Sequence, residues 1–284
     1  MRFLAPAAFI LGSLAAPAAA AAQSDSLPPY LRHRGSGQPT SMFGTTIARG
    51  QLLIYPFFEY YRDHNYEYEP ADLGYGLTQE FRGRYRASEG LLFLGYGITD
   101  WLAIEIEAAH ISARLDKDPA DPTGLPARIK ASGVGDIEGQ LRLRWLAETA
   151  RRPMVFSYFE AVAPRQRGQP LIATPDWEFK FGTGVSRGFG WGALTARVAI
   201  QYDASERKVG PGEYAVEFVR RLAPWSRLYL GIEGTEDEVE QITELQLTLL
   251  RGLTIKLNNA VGLTSKATDW APEVGILFSI PIDR

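Results

Sequence analysis

The sequence predicts an all-β chain: an antiparallel transmembrane β-barrel of about twelve strands in a bacterial outer membrane. Three observations predict it. Side chains alternate with period two from about residue 51 onward, short and long connections alternate, and the six tryptophans fall at the expected strand ends.

The chain opens with Arg2, an uncharged apolar run from Phe3 to Leu14, and small residues from Ala18 to Ala22. That order reads as an export signal over residues 1–22, with cleavage expected after Ala22. There is no cysteine, so a lipid-modified N-terminus, a disulfide scaffold and thiol-based metal or redox chemistry are excluded. Residues 23–50 carry Leu27-Pro28-Pro29 and Arg34-Gly35-Ser36-Gly37 and read as an irregular periplasmic segment, with a small plug entering the lumen as the alternative. The barrel is expected over residues 51–284.

Each strand is justified by its alternation. Leu102, Ile104, Ile106 and Ala108 oppose Ala103, Glu105 and Glu107; Ile137, Leu141, Leu143 and Trp145 oppose Glu138, Gln140, Arg142 and Arg144. The same pattern sets Phe179 and Phe181 against Glu178 and Lys180, and Val198 and Ile200 against Arg197. It sets Val216 against Glu217, Ile232 against Glu233, and Leu245 and Leu247 against Glu244 and Gln246. Strands are expected near 51–62, 89–97, 101–111, 134–146, 153–163, 175–185, 191–202, 212–221, 226–234, 239–250, 253–264 and 271–282. Residues 51–61 and 153–163 are less regular, because aromatic residues occupy both parities. The connections at 98–100, 147–152, 186–190, 222–225 and 251–252 are short, whereas 63–88, 112–133 and 164–174 are long and 203–211 and 265–270 moderate; 235–238 is the exception, short on the long side. Short periplasmic turns alternating with longer external loops belong to outer-membrane barrels.

Alternation alone does not say which face is inside. A ring of about twelve strands encloses a wide lumen, and an aqueous interior suits the charged parity better than an oily one. Glu105, Glu107, Glu138, Arg142, Arg144, Lys180, Arg197, Glu217, Glu233, Glu244 and Lys256 are therefore expected to face the lumen, where such charges tune selectivity. Tyr96, Trp101, Trp145, Trp177, Trp191, Trp225 and Trp270 are expected to form belts at the membrane interfaces. Tyr60, Tyr61, Tyr66 and Tyr68 read as part of the external rim.

The segment Tyr96-Gly97-Ile98-Thr99-Asp100-Trp101-Leu102, with Glu105 and Glu107 alternating after it, resembles the outer-membrane family associated with phenol meta-pathway degradation. Gly133-Val134-Gly135-Asp136-Ile137, running into Gln140 and Arg142, resembles that family's second recurring stretch. The resemblance covers most of residues 51–284. It implies a transporter-like barrel for aromatic or other apolar nutrients and brings no catalytic residues with it. Read as local structure, Thr99-Asp100 is a tight turn relieved by Gly97, and Asp136 is expected to bond its own backbone at the start of a strand.

His110-Ile111-Ser112 is the sharpest enzymatic candidate. It resembles the His-x-Ser pair on the lipid-facing wall of an outer-membrane phospholipase, with His110 as base for Ser112. Ala113-Arg114 follows here instead of that family's Asn-Gly, and no orienting third group is evident, so no enzyme is expected. Glu105 and Glu107 read as a charge ladder neutralised by Arg142 and Arg144 rather than as an acid–base pair. The acidic run Glu233 to Glu240 reads as a solvated external hairpin. Removing Arg2 from the 30 basic residues leaves 29 against 33 acidic ones, a net charge of −4, which offers no field for nucleic acid. With three histidines, no metal site and no cofactor are expected. The expected partners are outer-membrane lipid and a small solute. Channel, closed structural barrel and lipid hydrolase are the three readings, in that order.

Overall fold

The computed structural model describes residues 27–165, 168–204 and 207–282. The expected signal segment at 1–22 lies outside them. A short 3-10 turn, Pro29–Leu31, precedes a two-stranded hairpin of β1 (Gln38–Pro39) and β2 (Thr46–Ile47). Twelve longer strands follow: β3 Gln51–Tyr68, β4 Phe81–Gly97, β5 Leu102–Asp116, β6 Arg128–Leu146, β7 Met154–Ala163, β8 Glu178–Gly188, β9 Ala193–Asp203, β10 Lys208–Ala223, β11 Ser226–Gly234, β12 Val239–Leu250, β13 Leu253–Gly262 and β14 Ala271–Pro281. They pair antiparallel in chain order. β14 returns to β3, where Phe278 faces Ile54 and Glu273 faces Glu59, so the barrel is closed and has no free edge.

The alternation places the faces as charge and hydropathy demand. Ile104, Ile106, Leu141, Phe181, Val198, Ile200, Val216, Ile232 and Ile276 are exposed on the outside, while Glu105, Arg142, Glu244 and Lys256 are buried inside. The irregular stretches of β3 and β7 are explained by the same geometry. Tyr55, Phe57, Phe156 and Tyr158 point inward and are buried, while Phe58 and Phe159 point out. The inward rings lie over glycines: a Cβ on Gly182 would stand 2.1 Å from Tyr158 Cζ, and one on Gly184 would stand 2.4 Å from Phe156 Cζ.

Strands β3 to β6 run further outward than their patterning suggested. The stretches read as loops at 63–88 and 112–133 shrink to 69–80 and 117–127. Their outer ends share a separate small core of Tyr68, Phe81, Leu115, Leu125, Leu171 and Ile172. The four tyrosines read together as a rim divide accordingly. Tyr60 meets Trp270 edge-on, with ring centroids 6.2 Å apart, whereas Tyr61, Tyr66 and Tyr68 pack against this outer core or belong to it.

Candidate functional site

The site is the lumen, and its floor is the segment expected to be an irregular periplasmic tail. Residues 27–50 take the alternative placement, folding into the barrel at the end bearing the short turns. The Arg34 guanidinium donates to Glu148 in the β6–β7 turn at 2.7 Å, and both side chains are buried. The His33 ring faces the Gly190 carbonyl at 3.2 Å and accepts from the Arg221 amide. The hairpin tip then crosses the ring. Ser41 donates its amide and hydroxyl to Glu105 on β5 at 3.0 and 2.8 Å, and Arg142 on β6 donates to the Pro39 carbonyl at 3.2 Å. From the opposite wall, Gln246 on β12 and Lys256 on β13 donate to the Phe43 carbonyl at 3.1 and 3.2 Å, and Tyr229 on β11 packs against the Phe43 ring. Gly97 acquires a second reason here. Beyond easing the adjacent turn, it leaves room for Ala48, whose carbonyl oxygen would lie 1.9 Å from a Cβ at that position. The sequence gives no periodic signal for any of this, because the hairpin's strands are only two residues long.

Above the floor lies a chamber of about 540 Å³. Met42 and Phe43 of the hairpin close it below. Leu171 and Ile172 of the β7–β8 connection close it from the long-loop end, and Phe57, Leu91, Ile111 and Ile242 supply apolar wall. A second space of about 310 Å³ shares Met42, Phe43, Glu107 and Glu138 with it and leads toward Lys180 and Arg197. The roof is pinned by Asp136. Its carboxylate accepts the Arg165 amide at 2.9 Å and the Thr174 amide at 2.6 Å, so it braces the connection above it rather than its own backbone, as had been expected.

Electrostatically the lumen has two parts. Toward the short turns each buried acid among the described residues is matched by a base: Glu105 with Arg142 at 3.0 Å, Glu244 with Lys256 at 3.1 Å, and Glu148 with Arg34. On the β8–β11 wall, Lys180 bridges Glu160 and Glu213 at 2.9 and 3.0 Å. There Arg197 bridges Glu213, Glu217 and Glu233, the last two at 3.0 and 2.5 Å. The main chamber is different. Glu59, Glu89, Glu107, Glu138, Glu233, Glu240 and Glu273 line it and no lysine or arginine does; Glu233, at its edge, reaches Arg197 of the ion-pair wall. They stand in register: Glu273 faces Glu59, Glu59 faces Glu89, Glu107 faces Glu138, and Glu233 faces Glu240. Like charges directly opposite each other are unfavourable in a sheet, so neither pairing nor stability accounts for this arrangement.

Glu105, Arg142, Glu244 and Lys256 hold the hairpin, and Lys180, Arg197 and Glu217 belong to the ion-pair wall. Glu107, Glu138 and Glu233 line the chamber, and Arg144 lies near Arg34 by the short turns. Glu59, Glu89, Glu160, Glu213 and Glu273 were not singled out, although the inward parity of Glu273 is visible beside Val274 and Ile276; Glu233 and Glu240, the ends of the acidic run read as a solvated hairpin, line the chamber. All six tryptophans are exposed and sit within two residues of a strand end. His110 and Ser112 lie on the outer wall, with no acid or amide bonded to either among the described residues. The same residues include no cluster that could hold a metal ion.

No protein-family model and no curated protein matches this sequence. Solved structures do. An outer-membrane channel from Pseudomonas putida F1 superposes with a TM-score of 0.61 at 13% identity, over 86% of this chain and 99% of that one. The translocator domain of the autotransporter NalP from Neisseria meningitidis superposes with a TM-score of 0.50 at 10% identity, over 81% of this chain and 88% of that one. The fold of this chain is that of the outer-membrane barrels.

Proposed function

We propose that this barrel is an outer-membrane channel for small solutes with an apolar body, aromatic ones included, and that it favours neutral or cationic solutes over anions. The observation that carries the reading is the chamber between hairpin and roof. Aliphatic and aromatic wall suits an apolar body, while carboxylates that face one another without a cation repel an anion and attract a positive charge. The similar fold of the Pseudomonas channel supports the reading, as does the resemblance at Tyr96–Leu102 and Gly133–Ile137 to the phenol-pathway family. In this reading Glu107 and Glu138, with Glu59 and Glu89, set selectivity, Glu233 joins the chamber to the Arg197 wall, and Glu105, Arg142, Glu244 and Lys256 hold the floor. Tyr96 and the six tryptophans form the interface belts, and residues 1–22 are removed on export.

The test compares benzylamine, benzyl alcohol and benzoate flux into liposomes carrying the purified protein. One ring with three charges isolates the carboxylates. Benzoate is expected to be the slowest, and benzoate passing as fast as benzylamine refutes the selectivity. A second reading, a closed structural barrel, is favoured by the hairpin that crosses the lumen. Planar bilayers separate the two. Conductance steps from the intact chain support a channel, and a tight seal that opens only when residues 27–50 are deleted supports the closed barrel.

A further inference from the structure

The outer surface of the β3–β6 wall carries a feature that solute passage does not need. Arg62, Arg86, Arg114 and Lys130 are register partners in sequence across four adjacent strands: Arg62 faces Arg86, Arg86 faces Arg114, and Arg114 faces Lys130. All four share the outward parity of Ile104 and Ile106. One step further out, Arg84 faces Asp116 and Asp116 faces Arg128. One step further in runs a row of hydroxyls, Tyr60, Ser88, Ser112 and Ser132, again in register.

Six cations therefore crowd one patch. Asp116 pairs with Arg114 at 2.7 Å and with Arg128 at 2.6 Å, and Arg62 contacts the His64 ring. Among the described residues, Arg84, Arg86 and Lys130 have no acidic partner, and they stand exposed. Same-sign neighbours at cross-strand distance repel, so the row is unfavourable unless an anion lies over it.

Its height says which anion. From Leu102 to Arg114, β5 climbs roughly 30 Å at the usual rise per residue and a strand tilt of about 40°, close to the thickness of a hydrocarbon core. Arg62 also bridges to Trp270 through the backbone, which puts the row beside an exposed tryptophan at the long-loop end. The wall of β7–β9 presents a stack of Trp177, Phe179 and Tyr202 at its long-loop end instead, with centroids 6.0 and 6.4 Å apart, so the basic row is local and not a general girdle.

We infer that the outer rim of the β3–β6 wall binds the phosphate groups of a phosphorylated glycolipid in the external leaflet. Arginine forks take phosphate oxygens bidentately, Lys130 adds a point charge, and the serine row beneath offers hydroxyls to sugar and ester oxygens. His110 and Ser112 then find their place without chemistry: Ser112 belongs to the hydroxyl row, and His110 lies at its lower border.

The experiment uses the full mature chain in neutral detergent, titrated with a bis-phosphorylated glycolipid and with the same glycolipid after phosphatase treatment. The phosphorylated form is expected to bind about 100-fold more tightly, the scale of several basic residues acting at an anionic surface. Equal affinity for the two lipids overturns the inference, and that arm needs no variant. R84Q/R86Q/K130Q is expected to bind the phosphorylated lipid no better than the treated one, while R84K/R86K retains most of the preference. Folding of both is checked by heat-modifiable mobility. Undiminished binding by the folded triple glutamine variant also overturns it, as does complete competition by millimolar inorganic phosphate, which would make this a free-anion site. None of these readouts depends on solute flux, so failure here and failure of the channel reading are distinguishable.

Discussion

The lower and upper halves of one lumen handle the same residue types in opposite ways. By the short turns, each buried acid has a base: Glu105 with Arg142, Glu244 with Lys256, Glu148 with Arg34. In the chamber above, Glu59 stands between Glu89 and Glu273 with no cation on the lining. The lower half is built as a structural core that happens to be ionic, and it fixes the hairpin. The upper half puts no lysine or arginine on its lining; Tyr55 and Asn258 donate to Glu273, but neutral donors leave the carboxylates without a facing cation. Within one barrel, pairing marks what must stay put, and its absence marks what is left for a visitor.

Breaking the lower half should have the largest effect. Glu105→Ala leaves the buried Arg142 guanidinium without its carboxylate and removes both Ser41 hydrogen bonds, and losing one partner of a buried pair costs about 3–5 kcal/mol. Urea unfolding in detergent, with the midpoint read by heat-modifiable mobility, checks it. An unshifted midpoint means that the pair does not hold the floor. Next comes Gly182→Ala, whose methyl group meets the Tyr158 ring; overpacking of this kind costs roughly 1–3 kcal/mol in the same assay.

The upper half should behave the other way. Glu59→Gln together with Glu89→Gln relieves a facing pair, so stability should hold or rise by less than about 1 kcal/mol. Cation preference, measured as the reversal potential in a salt gradient, should nevertheless fall. A destabilised double variant with unchanged selectivity would reverse the contrast between the halves. The smallest effect is expected from Asp136→Asn, which keeps the shape but weakens charge-assisted bonds to the Arg165 and Thr174 amides. Amide hydrogen exchange at Thr174 should speed up while the unfolding midpoint stays put.

Much of the barrel was legible because its physics is local. On β5 the alternation of Ile104, Glu105, Ile106 and Glu107 states both the strand and its faces, and the turn at Ile98-Thr99-Asp100 states where it begins. Legibility failed where the lumen is itself apolar. With aromatics on both parities of β3 and β7, the facing of Tyr55 and Phe156 stays open in the sequence, and only the glycines beneath their rings, Gly275 and Gly184, show that rings fill the interior. It failed also on the outer part of β4, where Arg82, Arg84 and Arg86 read as loop because that stretch of wall projects past the acyl chains. The chamber was half legible. Single glutamates on the inward parity can be found in sequence, but that Glu59 faces Glu89 and Glu107 faces Glu138 is a fact of register, which no window along the chain contains. The hairpin was legible only as the bare alternative of a plug, since its partners lie from 64 to more than 200 residues away.

That separation bears on the order of assembly. The hairpin leaves the ribosome before any wall strand, yet it is held on one side by β5 and β6 and on the other by β12 and β13. Half of its anchorage exists once the early strands are laid down, and the remainder waits for Gln246 and Lys256, shortly before β14 meets β3. Seating the stopper and sealing the seam are thus neighbouring events, and a chain that closes without its stopper in place has shut the wide route by which a folded hairpin could come in.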